Sequence, residues 1–287
     1  MTEGISPRKA GKGGTATLVA SALSNQLGAA SGSLAFPGMG PVGVVAVRQL
    51  VAAAVLLPVV RPRLWTLTRQ QWWPVLLLAV VFGTMNLSLY SAIQRVGLGL
   101  AVTLEFLGPL AVALLSSRNR SSAVCAVLAG AGVVVITQPK PSTDYFGIAL
   151  GLIAACSWAA YILLNRTVGR RIPGVQGTAA ATGVSAVLFL PVAAVIFVSR
   201  PPDAFTVLCA VGAGVLASVV PYLADLIALR RVPANVFGVL MSINPVFAAL
   251  IGALALHEHL GAAKWCGIGL IVVANAGALL FRGRGGS

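Results

Sequence analysis

The chain has 287 residues, of which 58% are hydrophobic and only 9% charged. A soluble domain carries about 25% charged residues and could not hide so much apolar surface, so the composition excludes one and requires a bilayer. The net charge of +14 would suggest nucleic acid if the basic residues formed one patch; they lie between apolar runs instead, as topogenic loop charges do.

The first residues, Met1 to Gly14, are polar and basic, with no short apolar region followed by a cleavage site. The first apolar run therefore reads as a retained helix rather than a signal peptide. Apolar runs of about the 17–25 residues needed to span a bilayer then recur almost without pause. They predict helices over roughly 16–35, 40–60, 73–93, 98–116 and 121–138, then 146–165, 175–198, 205–229, 234–256 and 261–281. Junctions such as Phe36-Pro37-Gly38, Pro139-Lys140-Pro141 and Arg200-Pro201-Pro202 are helix stops with tight turns. The expected fold is all-α and integral to the membrane: a tail at 1–15, a first five-helix repeat at 16–138 and a second at 146–281.

Orientation follows from the loops. If both termini are cytoplasmic, Arg95, Lys140, Arg200 and Lys264 face outward and Arg48 lies inside a helix. The other 15 of the 20 basic residues face the cytoplasm, a strong positive-inside bias that also favours an even helix count.

The halves resemble each other. Ala92-Ile93-Gln94-Arg95-Val96 is matched by Ala228-Leu229-Arg230-Arg231-Val232, an offset of 136 that also sets Pro109 on Pro245 and Leu114 on Leu250. Leu57-Pro58-Val59 matches Leu190-Pro191-Val192 at an offset of 133. Five helices is an odd number, so the second half enters the membrane inverted, an arrangement that recurs in secondary transporters with a site where the halves meet.

Charges inside the membrane are costly unless paired or wet, which makes Arg48, Glu105 and Asp225 informative. Arg48 and Glu105 both fall roughly 11–12 Å from the outer face at about 1.5 Å per residue. Asn86 is at similar depth, with Tyr90 one turn above it. As a zwitterion site, Arg48 would meet a carboxylate, Glu105 an ammonium or a coupling proton, and Asn86 and Tyr90 the rest. The alternative is an Arg48–Glu105 ion pair that only locks two helices together.

Pro109 cannot donate to the carbonyl of Glu105, nor Pro245 to that of Met241. Paired interruptions at corresponding positions point to the binding region of a repeated transporter, or to kinks needed for packing alone. Ser242 and Asn244 flank the second break and could re-satisfy freed backbone groups. With Tyr222 they complete the candidate substrate contacts. Trp158 and Tyr161 sit too deep for an interfacial belt and either line the cavity or pack the core. Asp225, near Arg230 and Arg231, reads as a structural carboxylate reaching the interface.

His257-Glu258-His259 lies at an outer loop without a third ligand, so it reads as solvated and no metal site is expected. Cys125, Cys156, Cys209 and Cys266 fall singly in apolar runs, and neither disulfides nor zinc are expected. Phosphate-loop, acidic metal–phosphate and nucleophile-elbow motifs are missing, which argues against an ATP-driven pump or an enzyme and for a protein without cofactors.

Three stretches carry a family resemblance: Gly83-Thr84-Met85-Asn86, the run Leu104-Glu105-Phe106-Leu107-Gly108-Pro109-Leu110-Ala111-Val112-Ala113-Leu114, and Ser116-Ser117-Arg118. They resemble the threonine/homoserine exporter branch of the drug/metabolite transporter superfamily, whose halves are EamA domains. Ala155-Cys156-Ser157-Trp158-Ala159-Ala160-Tyr161-Ile162-Leu163, Val220-Pro221-Tyr222, Ile227-Ala228-Leu229 and Phe237-Gly238-Val239-Leu240-Met241-Ser242 continue the likeness over almost the whole chain. It implies an inverted-repeat fold of ten helices in the bacterial inner membrane, and proton-driven export of small amino acids. The partners implied are a small-molecule substrate, protons and lipid, with no nucleic acid. Where many members carry Gly-Glu near the end of the ninth helix, this chain keeps the acid as Glu258 behind His257. Two rivals are an exporter of hydrophobic cations, with Glu105 as counter-ion and Arg48 as its structural partner, and a non-transporting scaffold or lipid-binding protein with a dry, packed interface between the halves.

Overall fold

Lipid offers no partner to a backbone amide, so each spanning segment must satisfy its own hydrogen bonds as a helix. The computed structural model describes residues 7–96, 98–116, 120–256 and 261–281, and these form ten helical rods. In order they are α1 (Pro7–Leu34), α2 (Phe36–Val60), α3 (Arg69–Val96), α4 (Leu98–Leu115), α5 (Arg120–Thr137), α6 (Tyr145–Arg171) and α7 (Gln176–Ser199). The eighth rod joins α8 (Ala204–Gly214) to α9 (Val220–Leu229) through a π turn at Val215–Val219. The ninth is α10 (Ala234–Leu240) followed by α11 (Ile243–Leu256), and the tenth is α12 (Ala262–Phe281). Seven rods are long and apolar enough to cross a bilayer, and the apolar stretches of α4 and α12 are shorter.

The rods overlap the predicted spans but extend past several of their ends: α1 begins at Pro7, so residues 7–15, expected as part of a tail, are helical, and two further extensions are informative. α6 runs to Arg171 and α3 begins at Arg69, each several residues beyond the apolar run. The extra turns support one another: Gln71 Nε2 donates to the Arg171 carbonyl (2.8 Å) and Arg171 Nη1 to the Gln70 carbonyl (2.8 Å). The Gln70 carbonyl is the one that Pro74 has no N–H to reach. At the other end of the same pair, Arg95 Nε lies 2.9 Å from Asp144, which also caps α6 by accepting from the Gly147 N–H (2.9 Å). The α3–α6 pair is thus fastened at both ends. In α2, Gly40 at φ +67° interrupts the helix after its first turn, so the rod proper starts at Pro41, as the apolar pattern predicts.

The packing is symmetric under exchange of the halves. α3 lies along α6 as the eighth rod lies along α1; α2 meets α8 as α7 meets α3; α4 meets α5 as α11 meets α12. α2 pairs with its counterpart α7, and α5 with α12. At that last crossing a Cβ on Gly132 would stand 2.6 Å from Ile271 Cγ1, and one on Gly267 would stand 2.7 Å from Ile136 Cγ1. Each glycine would also press the other's carbonyl, at 2.9 and 3.0 Å. Close approach through small residues is how helices associate in lipid, where apolar burial drives nothing.

Candidate functional site

Arg48 is buried on α2 and reaches toward the eighth rod. Its Nε donates to Ser218 Oγ (3.1 Å), Nη1 to the Tyr90 hydroxyl (2.6 Å) and Nη2 to the Ala217 carbonyl (2.6 Å). That carbonyl is available for a reason written in the sequence: its helical donor would be residue 221, a proline. The π turn around it follows from the same disturbance, and such turns gather at functional sites. The planar guanidinium suits this task because its donors are fixed in a fork. α1 can lie close to the turn because Gly28 offers no Cβ; one placed there would stand 2.5 Å from the Ala217 nitrogen.

Tyr90, on α3, is fixed from two sides, with its ring edge-on to Phe36 at 5.3 Å between centroids. Asn86, one turn earlier and buried, turns its amide back to the Phe82 carbonyl (2.8 Å). Gln49, adjacent to Arg48 and fully buried, donates to both the Phe82 carbonyl (3.2 Å) and the Tyr222 hydroxyl (3.3 Å). Phe82 stacks flat on Tyr222, with 4.0 Å between centroids and 6° between planes, and Tyr161 leans on both rings.

Tyr161 donates to Asp225 Oδ2 (2.9 Å), and Ser21 of α1 donates to Asp225 Oδ1 (2.8 Å). This corrects the sequence expectation for Asp225. Its carboxylate does not reach the interface but is buried, joining α1 of the first half to α6 and α9 of the second. Arg230, its neighbour in sequence, turns to the Ile172 carbonyl instead (2.7 Å).

Glu105 is buried on α4 and makes no ion pair or hydrogen bond with the described residues. The expected alternative of an Arg48–Glu105 ion pair is therefore not formed. Trp158, half-buried on α6, lies edge-on to Phe106, the residue after Glu105, at 6.5 Å.

The prolines of the repeat sit in different surroundings. α4 continues through Pro109, whereas the ninth rod leaves the helix at Met241–Ser242, four residues before Pro245. Asn244 Nδ2 donates to the Met241 carbonyl (2.9 Å) and Ser242 Oγ to that of Val239 (2.6 Å). Asn244 Oδ1 in turn accepts from Asn25 and Gln26 of α1 (3.4 and 3.2 Å). α4 and α10 meet here, since a Cβ on Gly238 would lie 2.5 Å from the Pro109 carbonyl.

Seven of the nine candidate contacts form three groups, while Glu105 on α4 and Trp158, edge-on to Phe106, stand apart from them. Arg48, Tyr90, Asn86 and Tyr222 surround the π turn, Tyr161 holds Asp225, and Ser242 and Asn244 serve the broken ninth rod. Gln49, Ser21 and Ser218 escaped the sequence reading because uncharged polar residues in an apolar run do not stand out; Pro221 was the available signal for Ser218. His257, Glu258 and His259 lie outside the described residues.

Residues 145–280 match the EamA-like transporter family. The threonine/homoserine exporter RhtA of Escherichia coli (strain K12) is 34% identical over 266 residues, covering 92% of this chain and 90% of that protein. The chain belongs to the EamA-like transporter family. RhtA of Salmonella typhimurium (strain LT2) is 35% identical to this EamA protein over 262 residues, covering 89% of this chain and 87% of the relative. A solved crystal structure, 22% identical, shares the fold with a TM-score of 0.75 over 95% of this chain and 98% of its own. EamA proteins of this drug/metabolite transporter superfamily are transporters rather than enzymes.

Proposed function

We propose that this protein exports small neutral amino acids of the threonine or homoserine kind, or related metabolites, from the bacterial cytoplasm. It works by proton-coupled alternating access in the inner membrane, with both termini cytoplasmic. The observation that carries this reading is identity of about one third to threonine/homoserine exporters across nine tenths of the chain. A buried polar centre between the halves, built on Arg48 and the π turn, supports it, because intramembrane ions mark substrate and ion routes. The packed surroundings of Arg48 would suit a scaffold too, and family membership favours the transporter.

The geometry refines the roles. Three of Arg48's five donors are committed within the protein, so the guanidinium holds the π turn and meets a substrate carboxylate only with its remaining N–H groups. Glu105, uncommitted and buried, is the group for an ammonium or a proton. That asymmetry equally favours the second reading, export of hydrophobic cations with Glu105 as counter-ion.

Movement of labelled threonine and homoserine into inside-out vesicles, with and without a pH gradient, tests the proposal. Uptake above that of vesicles without the protein, enhanced by the gradient, is expected. Uptake of organic cations but of no amino acid would move the assignment to the second reading, and gradient-insensitive uptake would remove proton coupling alone.

A further inference from the structure

A buried polar atom without a hydrogen bond costs free energy that an apolar isostere would not, so each one needs a reason. Among the described residues these atoms are Gln49 Oε1, both amide atoms of Asn165, Thr178 Oγ1 and Ser185 Oγ. All four side chains are fully buried. With the termini cytoplasmic, Asn165, Thr178 and Ser185 lie in the cytoplasmic half of α6 and α7, and Gln49 lies at the level of Arg48.

They converge. At 3.6 residues per turn, Thr178 and Ser185 fall within roughly 60° of Phe189 around α7. That face is turned to α3, since a Cβ on Gly83 would run into the Phe189 ring. Asn165 is one turn from Tyr161, on the face of α6 that meets Asp225 of α9. One further turn along α6 is Gly169, in the wall of a cytoplasmic cavity of about 260 Å³ lined by Arg166, Arg170, Arg230 and Arg231.

We infer that the seam where α3, α6, α7 and α9 meet is the cytoplasmic entrance for the exported solute, closed in this structure, with Asn165, Thr178 and Ser185 as its lining. This rests on the export reading. The arginine rim draws in a solute carrying a carboxylate. Beyond it, amide and hydroxyl groups both donate and accept, which suits a neutral zwitterion with a polar side chain and not a hydrophobic cation. In the closed state the Thr178 and Ser185 hydroxyls have no partners among the described residues, which lowers the cost of opening to water and solute. Gln49 and Arg48 stand at its inner end.

The test uses the full chain with Cys125, Cys156, Cys209 and Cys266 replaced, in inside-out vesicles. Thr178→Cys and Ser185→Cys should react with a membrane-impermeant maleimide from the cytoplasmic side, and excess threonine should slow the reaction. In the native background Thr178→Val and Ser185→Ala should leave Tm unchanged or raise it while lowering threonine export about fivefold or more, the scale of one lost hydrogen bond. Asn165→Leu should act likewise; if it does not fold, the other two variants decide. Thr167→Val, whose hydroxyl bonds the Leu163 carbonyl elsewhere on α6, should leave export unchanged. Cysteines that react only after denaturation, or isosteres that lower Tm with export intact, would overturn the entrance. If the native protein moves no amino acid while both cysteines react, the export reading fails and the entrance stands for another solute.

Discussion

Arg48 Nη2 lies 2.6 Å from the Ala217 carbonyl oxygen, and this is the carbonyl that Pro221 leaves without a helical donor. A side chain from the first half therefore completes the backbone of the second. Arg48→Ala should expose the cost of an unpaired buried carbonyl, about 1–3 kcal/mol, as a lower Tm in detergent. Arg48→Lys should recover only part of it, because one ammonium cannot reproduce the fork. Pro221→Ala returns an N–H to the helix, so the double variant Arg48→Ala/Pro221→Ala should be more stable than Arg48→Ala alone. Strict additivity in that cycle would mean the two residues do not share the carbonyl.

Glu105→Gln keeps the shape of the side chain and removes its charge. Threonine exchange between loaded vesicles should persist while the effect of a pH gradient disappears. Persistent gradient dependence would place the coupling proton elsewhere. Loss of exchange together with the gradient effect would make Glu105 a substrate contact.

Tyr161→Phe removes one of the two hydroxyls on the Asp225 carboxylate. A bond to a charged group contributes about 1.5–3 kcal/mol, so unfolding should need correspondingly less denaturant. Ser21→Ala should act in the same direction on the tie between halves, and an unchanged midpoint in both would show that the network contributes no stability.

Gly132→Val and Gly267→Val each force a side chain into the α5–α12 crossing, where a Cβ already meets an isoleucine at 2.6 or 2.7 Å. Overpacking of this kind costs typically about 1–3 kcal/mol. The two substitutions should lower Tm by similar amounts, since their surroundings mirror each other.

Asp144 supplies a pH dependence outside the membrane. The Gly147 N–H, and then Arg95, hold its carboxyl below the usual carboxylate range. A lowered folded-state pKa contributes stability that is complete above the unfolded value, about 3.9, and is lost as pH falls through the folded one. Native protein should therefore melt above Asp144→Asn at neutral pH, and the difference should shrink in strong acid. A difference constant with pH would contradict this role.

The spans and the symmetry of the halves were legible in the sequence because lipid imposes one length and one backbone solution on every segment. Arg48 was found because a charge in an apolar run is conspicuous, and Asn86 and Tyr90 because they fall at about its depth. What could not be read was direction. Depth placed Arg48 beside Glu105, but rotation about α2 gives its fork to the π turn. Asp225 looked interfacial beside Arg230 until the folded chain sent Arg230 to the Ile172 carbonyl. Asn165, Thr178 and Ser185 are polar without charge, and only their packing shows that the Thr178 and Ser185 hydroxyls lack partners among the described residues.

At the α5–α12 crossing, Gly132 meets Ile271 and Gly267 meets Ile136, so each side presents the other with what it receives. Such reciprocity is the signature of an isologous interface, the kind two identical subunits form about a twofold axis. The chain thus carries, within one molecule, the kind of reciprocal contact that two copies of a five-helix unit would make about a twofold axis.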